Sequence, residues 1–163
     1  MLIGIAAAGA LSLLTGVQGA SAESKGTDAV SEKLQVESRN GKVLVHLTFA
    51  NHGDQVVYLP RSVASDSEAA GAWFEVRDSS NGDPLDYIGP MVKRAPPGKH
   101  DYVALKPHAV HRHTIDISKT YAFLQGRHTY ELSYSGSYLT DIARPEAAAE
   151  VQPEPVMFAF VAP

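Results

Sequence analysis

The fold follows from the stretch Lys33-Leu-Gln-Val-Glu-Ser-Arg-Asn-Gly-Lys-Val-Leu-Val-His-Leu-Thr-Phe-Ala50. Both ends of this stretch alternate apolar and polar residues, which is the pattern of a strand with one buried face. Between them, Asn40-Gly41 is a preferred dipeptide for a type I′ turn, because both central positions of that turn need a positive φ. The stretch therefore predicts a β-hairpin whose second arm buries one row of side chains: Val43, Val45, Leu47 and Phe49.

Strand patterns recur along the rest of the chain and are separated by turn residues about every ten positions. No helical periodicity of useful length is present, and we expect at most one helical turn between Pro60 and Gly71. These features favour an all-β protein built as an antiparallel β-sandwich, with a barrel as the alternative. The remaining strands are predicted at residues 55–59, 73–78, 85–88, 102–105, 109–117, 130–134 and 156–161.

The N-terminus predicts export. Residues 2–17 form an uncharged run rich in Leu, Ile, Ala and Gly, and the small residues Ala20-Ser21-Ala22 follow, as at a signal-peptidase site. We expect cleavage after Ala22, so that the mature protein is periplasmic or secreted and has no stable membrane anchor.

The length of 163 residues is sufficient for one domain with its own core. We expect a signal peptide over residues 1–22, a flexible leader over 23–32 and a single β-sandwich domain over 33–163. Within this domain, a Pro/Ala/Glu-rich linker at 144–155 is predicted to precede the last strand.

Composition excludes several classes of function. The net charge of -4 and the pI near 5.9 argue against nucleic acid as a partner and against an anionic membrane surface. The absence of cysteine excludes disulfides, thiol catalysis and cysteine-type zinc sites. Neither a Gly-x-Ser-x-Gly motif nor a glycine-rich phosphate loop occurs. We therefore predict no enzyme activity and no cofactor.

The connection around residues 84–108 is the best candidate for a binding surface. It contains Pro90, Pro96 and Pro97, which cannot donate to a sheet ladder, and the basic pair Lys93-Arg94. An ordered loop that presents charge suits the recognition of a protein partner, although charges also protect exposed sheet edges from unwanted pairing. The candidate partner-binding residues are Tyr87, Lys93, Arg94, Lys99, Asp101 and Tyr102.

Two further groups of side chains have alternative interpretations. His111 and His113 project from the same face of a predicted strand, and His108 could reach them from the preceding turn, so the three are candidate metal ligands. Their spacing is loose, and exposed strands also carry such histidines. Trp73 could stack on a sugar, but its place at the start of an alternating strand favours a core position.

Five segments occur in a characteristic order: residues 45–54, 73–77, 87–94, 101–107 and 115–121. With the loop pattern Tyr-x-Gly-x-x-Val-Lys-Arg in the third segment, the chain resembles the N-terminal propeptide domain of deuterolysin and peptidyl-Lys type zinc metalloendopeptidases. The resemblance covers roughly residues 33 to 161. It implies an immunoglobulin-like sandwich that acts as an inhibitor or folding assistant of a protease.

The His-Glu-x-x-His and Gly-Thr-x-x-x-Asp motifs of that family's protease domain do not occur here. No catalytic residue therefore carries over, and we expect a free-standing pro-domain. The first hypothesis is an exported, non-catalytic domain that binds a secreted zinc metalloendopeptidase in trans, as inhibitor or folding partner. The alternatives are a ligand-binding module for metal or glycan, and a structural accessory protein of the cell envelope.

Overall fold

A computed structural model describes residues 20–23, 29–66, 70–93 and 95–163. Strands dominate these residues, and the one α-helix, α1 (Arg61–Ala64), is the single helical turn expected from the sequence. Two 3-10 turns cover Lys99–Asp101 and Pro145–Ala147. The strands are β1 (Ala20–Glu23), β2 (Val30–Arg39), β3 (Lys42–Asn51), β4 (Val57–Pro60), β5 (Phe74–Asp78), β6 (Tyr102–Leu105), β7 (Val110–Asp116), β8 (Gly126–Tyr134), β9 (Gly136–Tyr138), β10 (Ala149–Val151) and β11 (Val156–Ala162).

The strands form two larger antiparallel sheets and two strand pairs. One sheet has the order β1-β2-β3-β7, the other has the order β11-β8-β5, and the pairs are β4-β6 and β9-β10. Tyr58 in β4 exchanges backbone hydrogen bonds of 2.8 and 2.9 Å with Leu139, which links the two pairs. Side chains from β2 to β11 meet in one buried core. The all-β antiparallel sandwich predicted from the sequence is confirmed.

The β2–β3 hairpin forms as predicted. Arg39 pairs with Lys42, and the two residues between them, Asn40 and Gly41, have φ values of 51° and 71°. A two-residue turn with both φ angles positive matches the right-handed twist of its strands. The alternating residues of β3 point into the core, where they meet the alternating residues of β8: Val43, Val45, Leu47, Phe49, Tyr130, Leu132 and Tyr134.

Some boundaries differ from the prediction. β2 begins at Val30, so the last part of the predicted leader belongs to a strand. Ala22, the predicted cleavage position, lies in β1 opposite Leu34, and residues 1–19 lie outside the described part of the chain. The predicted linker at 144–155 contains a 3-10 turn and β10, whose residue Ala149 pairs with Tyr138.

Residues 85–88 do not form the strand that was predicted for them from the sequence. The chain makes two isolated bridges here instead, one between Arg77 and Pro84 just before the segment and one between Tyr87 and Tyr121 within it. The backbone hydrogen bonds of this segment are divided between β5 on one side and the residues around Tyr121 on the other, so a continuous ladder with β5 does not form.

Trp73 only partly fulfils the expectation that it fills the core. β5 begins one residue later, and its residues Phe74 and Val76 are the ones that are buried. The row of side chains that points into the core is therefore the one that contains Phe74 and Val76, and not the alternate row to which Trp73 would belong. The indole is half-buried, packs against the edge of the core and also lines a surface cleft.

Glu32 is a fully buried acidic residue in the core face of β2. It lies in the same alternating row as Val30 and Leu34 and pairs across the hairpin with Phe49. Burial disfavours the charged carboxylate and raises the pKa of Glu32 to about 9. The side chain is therefore neutral at pH 7, which makes its burial tolerable.

Candidate partner-binding surface

The candidate loop is fixed at its base by backbone hydrogen bonds to two neighbouring segments. Leu85 donates to the carbonyl oxygen of Val76 in β5 at 2.8 Å, and Ile88 donates to that of Thr120 at 2.8 Å. We call residues 87–93 the Tyr87 loop. Because the chain enters this loop between two fixed segments, the position of its tip is determined by the core of the domain.

Tyr87 tethers the loop from below. Its hydroxyl accepts a hydrogen bond from the backbone N–H of Gly71 at 2.9 Å and donates one to the carbonyl oxygen of Pro90 at 2.8 Å. Its ring meets Tyr121 edge to face, with ring centroids 5.4 Å apart. Tyr121 is itself buried, and its hydroxyl bonds to both backbone groups of Phe74. A chain of aromatic contacts and hydrogen bonds thus connects the loop to the core.

Gly89 explains the Tyr-x-Gly part of the loop pattern. A Cβ atom at this position would lie 2.6 Å from the hydroxyl oxygen of Tyr87 and 3.0 Å from the Cβ of Thr120. Real Cβ atoms do not approach other atoms so closely, so the Tyr87 ring can lie over this residue only because it has no side chain.

We expect Gly89→Ala to displace Tyr87 and disorder the loop while leaving the sandwich folded. The clash should cost about 1–3 kcal/mol, the range for overpacking, and the tyrosine hydroxyl should lose its bond to Pro90. Thermal unfolding and amide hydrogen exchange measure the two effects. Gly82→Ala is a suitable control, because Gly82 has open space where a Cβ would be and tests the cost of a positive φ alone. Unchanged protection of the Gly71 amide in Gly89→Ala would contradict this role of Gly89.

The tip of the Tyr87 loop presents apolar side chains to solvent. Ile88, Met91 and Val92 are 63%, 80% and 57% exposed, and Lys93 beside them is also exposed. Lys93 was predicted from the sequence as a contact residue, whereas these apolar residues were not. Their signal was the run Ile-Gly-Pro-Met-Val, in which large apolar residues occur without the alternation that would bury them.

The second half of the predicted surface lies at a different part of the fold. The carboxylate of Asp101 accepts a hydrogen bond from the N–H of Gly98 at 2.8 Å, and so stabilises the 3-10 turn. Arg61 in α1 donates to the carbonyl oxygen of His100 at 3.0 Å. Residues 98–101 are therefore attached to α1.

The six predicted contact residues consequently have different roles. Tyr87 and Asp101 hold backbone segments in place, whereas Lys93 and Lys99 are exposed. Tyr102 is half-buried at the start of β6, and Arg94 lies outside the described residues. A contact role for each of them stays a prediction.

A cleft of about 770 Å³ lies beside the Tyr87 loop, and Ile88 and Pro90 form part of its wall. The opposite wall includes the turn at the end of β7. There the hydroxyl of Ser118 accepts a hydrogen bond from the N–H of Val43 at 2.8 Å and donates one to Asp116 at 2.5 Å. These bonds fix the turn to the central hairpin.

Asp116 is ionised in this position. Burial opposes its ionisation, but hydrogen bonds from Ser118 and the ammonium of Lys42 outweigh that effect and hold the pKa of Asp116 below its ordinary value. The wall of the cleft is therefore held by a charge-assisted network.

His111 and His113 lie on the core side of β7, on one face as predicted. They pair with Phe49 and Leu47 of β3, both of which are buried. The covering element on this side is α1, which packs against β7. This placement explains why the alternating pattern of β7 was imperfect: polar rings occupy core-facing positions at the edge of the sheet.

The imidazoles bond to the chain that covers them. The Nε2 atom of His111 lies 2.6 Å from the carbonyl oxygen of Ala64, and that of His113 lies 2.8 Å from the carbonyl oxygen of Asp66. A ring nitrogen that donates to a carbonyl cannot also bind a cation, so these two nitrogens stabilise the end of α1.

His108 is separate from this pair. Its Nε2 atom lies 3.0 Å from a carboxylate oxygen of Asp54, in a neighbouring turn. Within the described part of the chain, no group of three or more His, Cys, Asp or Glu side chains is arranged to hold a metal ion.

Comparison with known proteins relates the chain to a protease. No family model matches it. A protein of Aeromonas hydrophila named "Extracellular protease" is 37% identical to it over 94 residues, which make up 58% of this chain. The matched stretch spans about a quarter of that relative (26%). Among residues 20–23, 29–66, 70–93 and 95–163, there is no helix of the length and apolar character needed to cross a membrane. The similarity to part of an extracellular protease is compatible with a protease-associated domain and with secretion.

Proposed function

We propose that the chain is an exported, non-catalytic domain that binds a secreted zinc metalloendopeptidase through the Tyr87 loop. It acts in trans as an inhibitor or a folding partner of that enzyme. The observation that carries the proposal is the loop itself, which is tethered at Tyr87 and keeps Ile88, Met91 and Val92 in solvent. The partial similarity to an extracellular protease supports the choice of partner.

Energetics favour a protein partner for this loop. Removing apolar surface from water is favourable by roughly 25 cal/mol per Å². The side chains at the tip of the loop are mostly exposed in the free chain, so most of this stabilisation is still to be gained when a partner covers them. Such side chains contribute most to binding when they are clustered and held in place. The two hydrogen bonds of Tyr87 order the loop before binding, so the entropic cost of association is reduced.

The charge of the loop suggests how it is oriented on the enzyme. Lys93 is exposed next to the apolar tip, and Arg94 follows it in the sequence. Positive charge at the edge of an apolar contact directs association towards an acidic surface and fixes its orientation. An inhibitory domain must occupy or flank the substrate cleft of its protease, so we expect acidic residues near that cleft in the partner.

The test combines an inhibition assay with a refolding assay. The chain from Glu23 onward is mixed with a purified, secreted zinc metalloendopeptidase of the deuterolysin or peptidyl-Lys type. An inhibitor lowers peptide hydrolysis by the folded enzyme in a dose-dependent manner. A folding partner instead raises the yield of active enzyme after refolding. A chain that does neither, and that does not bind the enzyme, contradicts the proposal.

We expect Lys93→Glu with Arg94→Glu to weaken binding about tenfold, because charge at the rim of an interface contributes on the order of 1 kcal/mol. The matched control is Lys106→Glu with Arg144→Glu, since both of these residues are exposed elsewhere on the domain. Calorimetry with the same enzyme measures both variants. Equal weakening by the two double variants would show a general effect of net charge rather than contact by the loop.

A further inference from the structure

The outer edge of β2 is covered by β1, which contains the expected cleavage position. β1 pairs antiparallel with residues 33–36 of β2, and the other edge of β2 is paired with β3. Among the described residues, β1 is thus the strand that occupies the outer edge. Cleavage after Ala22 removes residues 20–22 of this four-residue strand and leaves Glu23, which alone does not make a strand. In the exported chain, β2 is therefore the edge strand of its sheet.

The edge that cleavage opens is regular. β2 pairs with β3 without interruption from Val30 to Arg39, so it has no bulge, and it contains no proline. Leu34 and Val36 are fully buried, so packing in the core fixes the strand in one register. An edge strand of this kind presents unpaired N–H and C=O groups that can pair with a strand of another chain.

The side of the sandwich next to this edge is a groove between β2 and β11. β1 contacts β11 of the other sheet as well as β2. Further along β2, a cleft of about 270 Å³ lies between Ser38 and Arg39 on one side and residues 159–161 of β11 on the other. The groove is therefore longer than β1, and an extended segment can follow it beyond residue 36.

We propose that the exported chain binds an extended segment of a protein partner by antiparallel strand addition to residues 33–39 of β2. In this mode, backbone hydrogen bonds supply affinity and alternate side chains supply selectivity. Lys33 favours an acidic residue opposite to it, because opposite charges on paired residues stabilise antiparallel strands. β1 itself has Glu23 at that position. The inference rests on the export in the proposed function, and removal of the signal peptide is the step that opens the site.

Two chains test whether β1 protects this edge. One begins at Gly19 and keeps β1, the other begins at Glu23, and both contain the core residues, which start at Val30. We expect the amides of residues 33–36 that face β1 to exchange about tenfold faster in the shorter chain, because each loses a hydrogen bond. Amides of β3 should exchange equally in both chains. Equal exchange at residues 33–36 overturns the proposal, and so does a shorter chain that fails to fold.

The probe for strand addition is acetyl-Gly-Ala-Ser-Ala-Glu-Ser-amide, which has the sequence of residues 19–24. It should bind the shorter chain saturably and slow exchange of the same amides. Binding to the longer chain should be at least about tenfold weaker, because β1 occupies the edge. The absence of saturable binding to the shorter chain, or equal binding to both chains, overturns the proposal.

Two control peptides carry proline at the position of Ser21 or of Ala22. The N–H groups of adjacent residues point to opposite sides of a strand, so one of the two prolines removes a hydrogen bond to β2. At least one control peptide should therefore lose binding to the shorter chain. If both bind as tightly as the unaltered peptide, the contact is not a strand ladder and the proposal is overturned.

These measurements contain no protease, so their failure leaves the proposed role of the Tyr87 loop intact. The premise that both proposals share is tested by mass spectrometry of the chain recovered from the periplasm or the medium. We expect an N-terminus at Glu23. An exported chain that still carries residues 20–22 overturns strand addition but not recognition of a protease by the loop.

Discussion

Replacing Met91 and Val92 together by aspartate should lower the affinity of the chain for the proposed protease partner about 100-fold or more, the loss expected for a central apolar contact. Both side chains are exposed, so the change removes no core packing. In the complex, however, two carboxylates would be taken out of water without designed partners, which costs several kcal/mol. Calorimetric titration measures the affinity, and thermal unfolding of the free chain checks that it stays folded.

The chain offers a closely matched control in Met157→Asp with Val161→Asp. Met157 and Val161 are also an exposed methionine and valine, but they lie on the outer face of β11. This variant should bind the protease as the unaltered chain does. If the loop variant bound the protease as tightly as the unaltered chain does, the Tyr87 loop would not be the surface that recognises the partner, even if the enzyme were still inhibited.

Replacing Glu32 by glutamine should remove a large part of the dependence of stability on pH. The pKa of this carboxyl is 4.5 in its ordinary state and about 9 in the folded chain. Between these values the unfolded chain has released the proton while the folded chain keeps it. Stability from this group is therefore fully present below pH 4.5 and is lost as the pH rises towards 9, by about 1.4 kcal/mol per pH unit.

Glutamine cannot ionise, so the variant should lose little stability across this range and should exceed the unaltered chain by more than about 2 kcal/mol near its upper end. Burial and the charge of Glu32 raise the pKa of neighbouring Tyr134, so that tyrosine stays neutral and does not mask the effect. Urea unfolding at several pH values measures the slope. Glu150→Gln, at an exposed position in β10, is the control. A Glu32→Gln variant with the same slope as the unaltered chain would show that Glu32 is not the titrating group.

Local pattern was sufficient to predict the central hairpin. The alternation of residues in β3 and the backbone preferences of Asn40-Gly41 are properties of neighbouring residues, and the structure confirms both. The single turn α1 was likewise expected, since no apolar periodicity of helical length occurs between Pro60 and Gly71.

Prediction failed where a residue's environment comes from distant parts of the chain. Glu32 was assigned to a leader because residues 23–32 show no apolar periodicity, but packing against Tyr134 and Phe49 buries it in a neutral form. His111 and His113 were considered as metal ligands, but they face carbonyl groups at the end of α1, almost fifty residues earlier. No local pattern reports such contacts.

The candidate binding surface was only partly predictable. The prolines and basic residues of the loop marked it as irregular and charged, and Tyr87 and Lys93 were predicted from the sequence as contact residues. The exposure of Met91 was not predicted, because an apolar residue is expected to be buried unless the fold prevents it. Here the bonds of Tyr87 to Gly71 and Pro90 hold the tip away from the core.

The sequence by itself determined the fold class, the hairpin at its centre and the position of the irregular connection, because alternation, turn preference and the missing N–H of proline act within a few residues. Only the tertiary structure decided which side chains that connection exposes, which polar groups are buried in neutral or hydrogen-bonded form, and where Trp73 meets a cleft. Those outcomes depend on contacts between segments far apart in the chain, and such contacts exist only once the two sheets have packed.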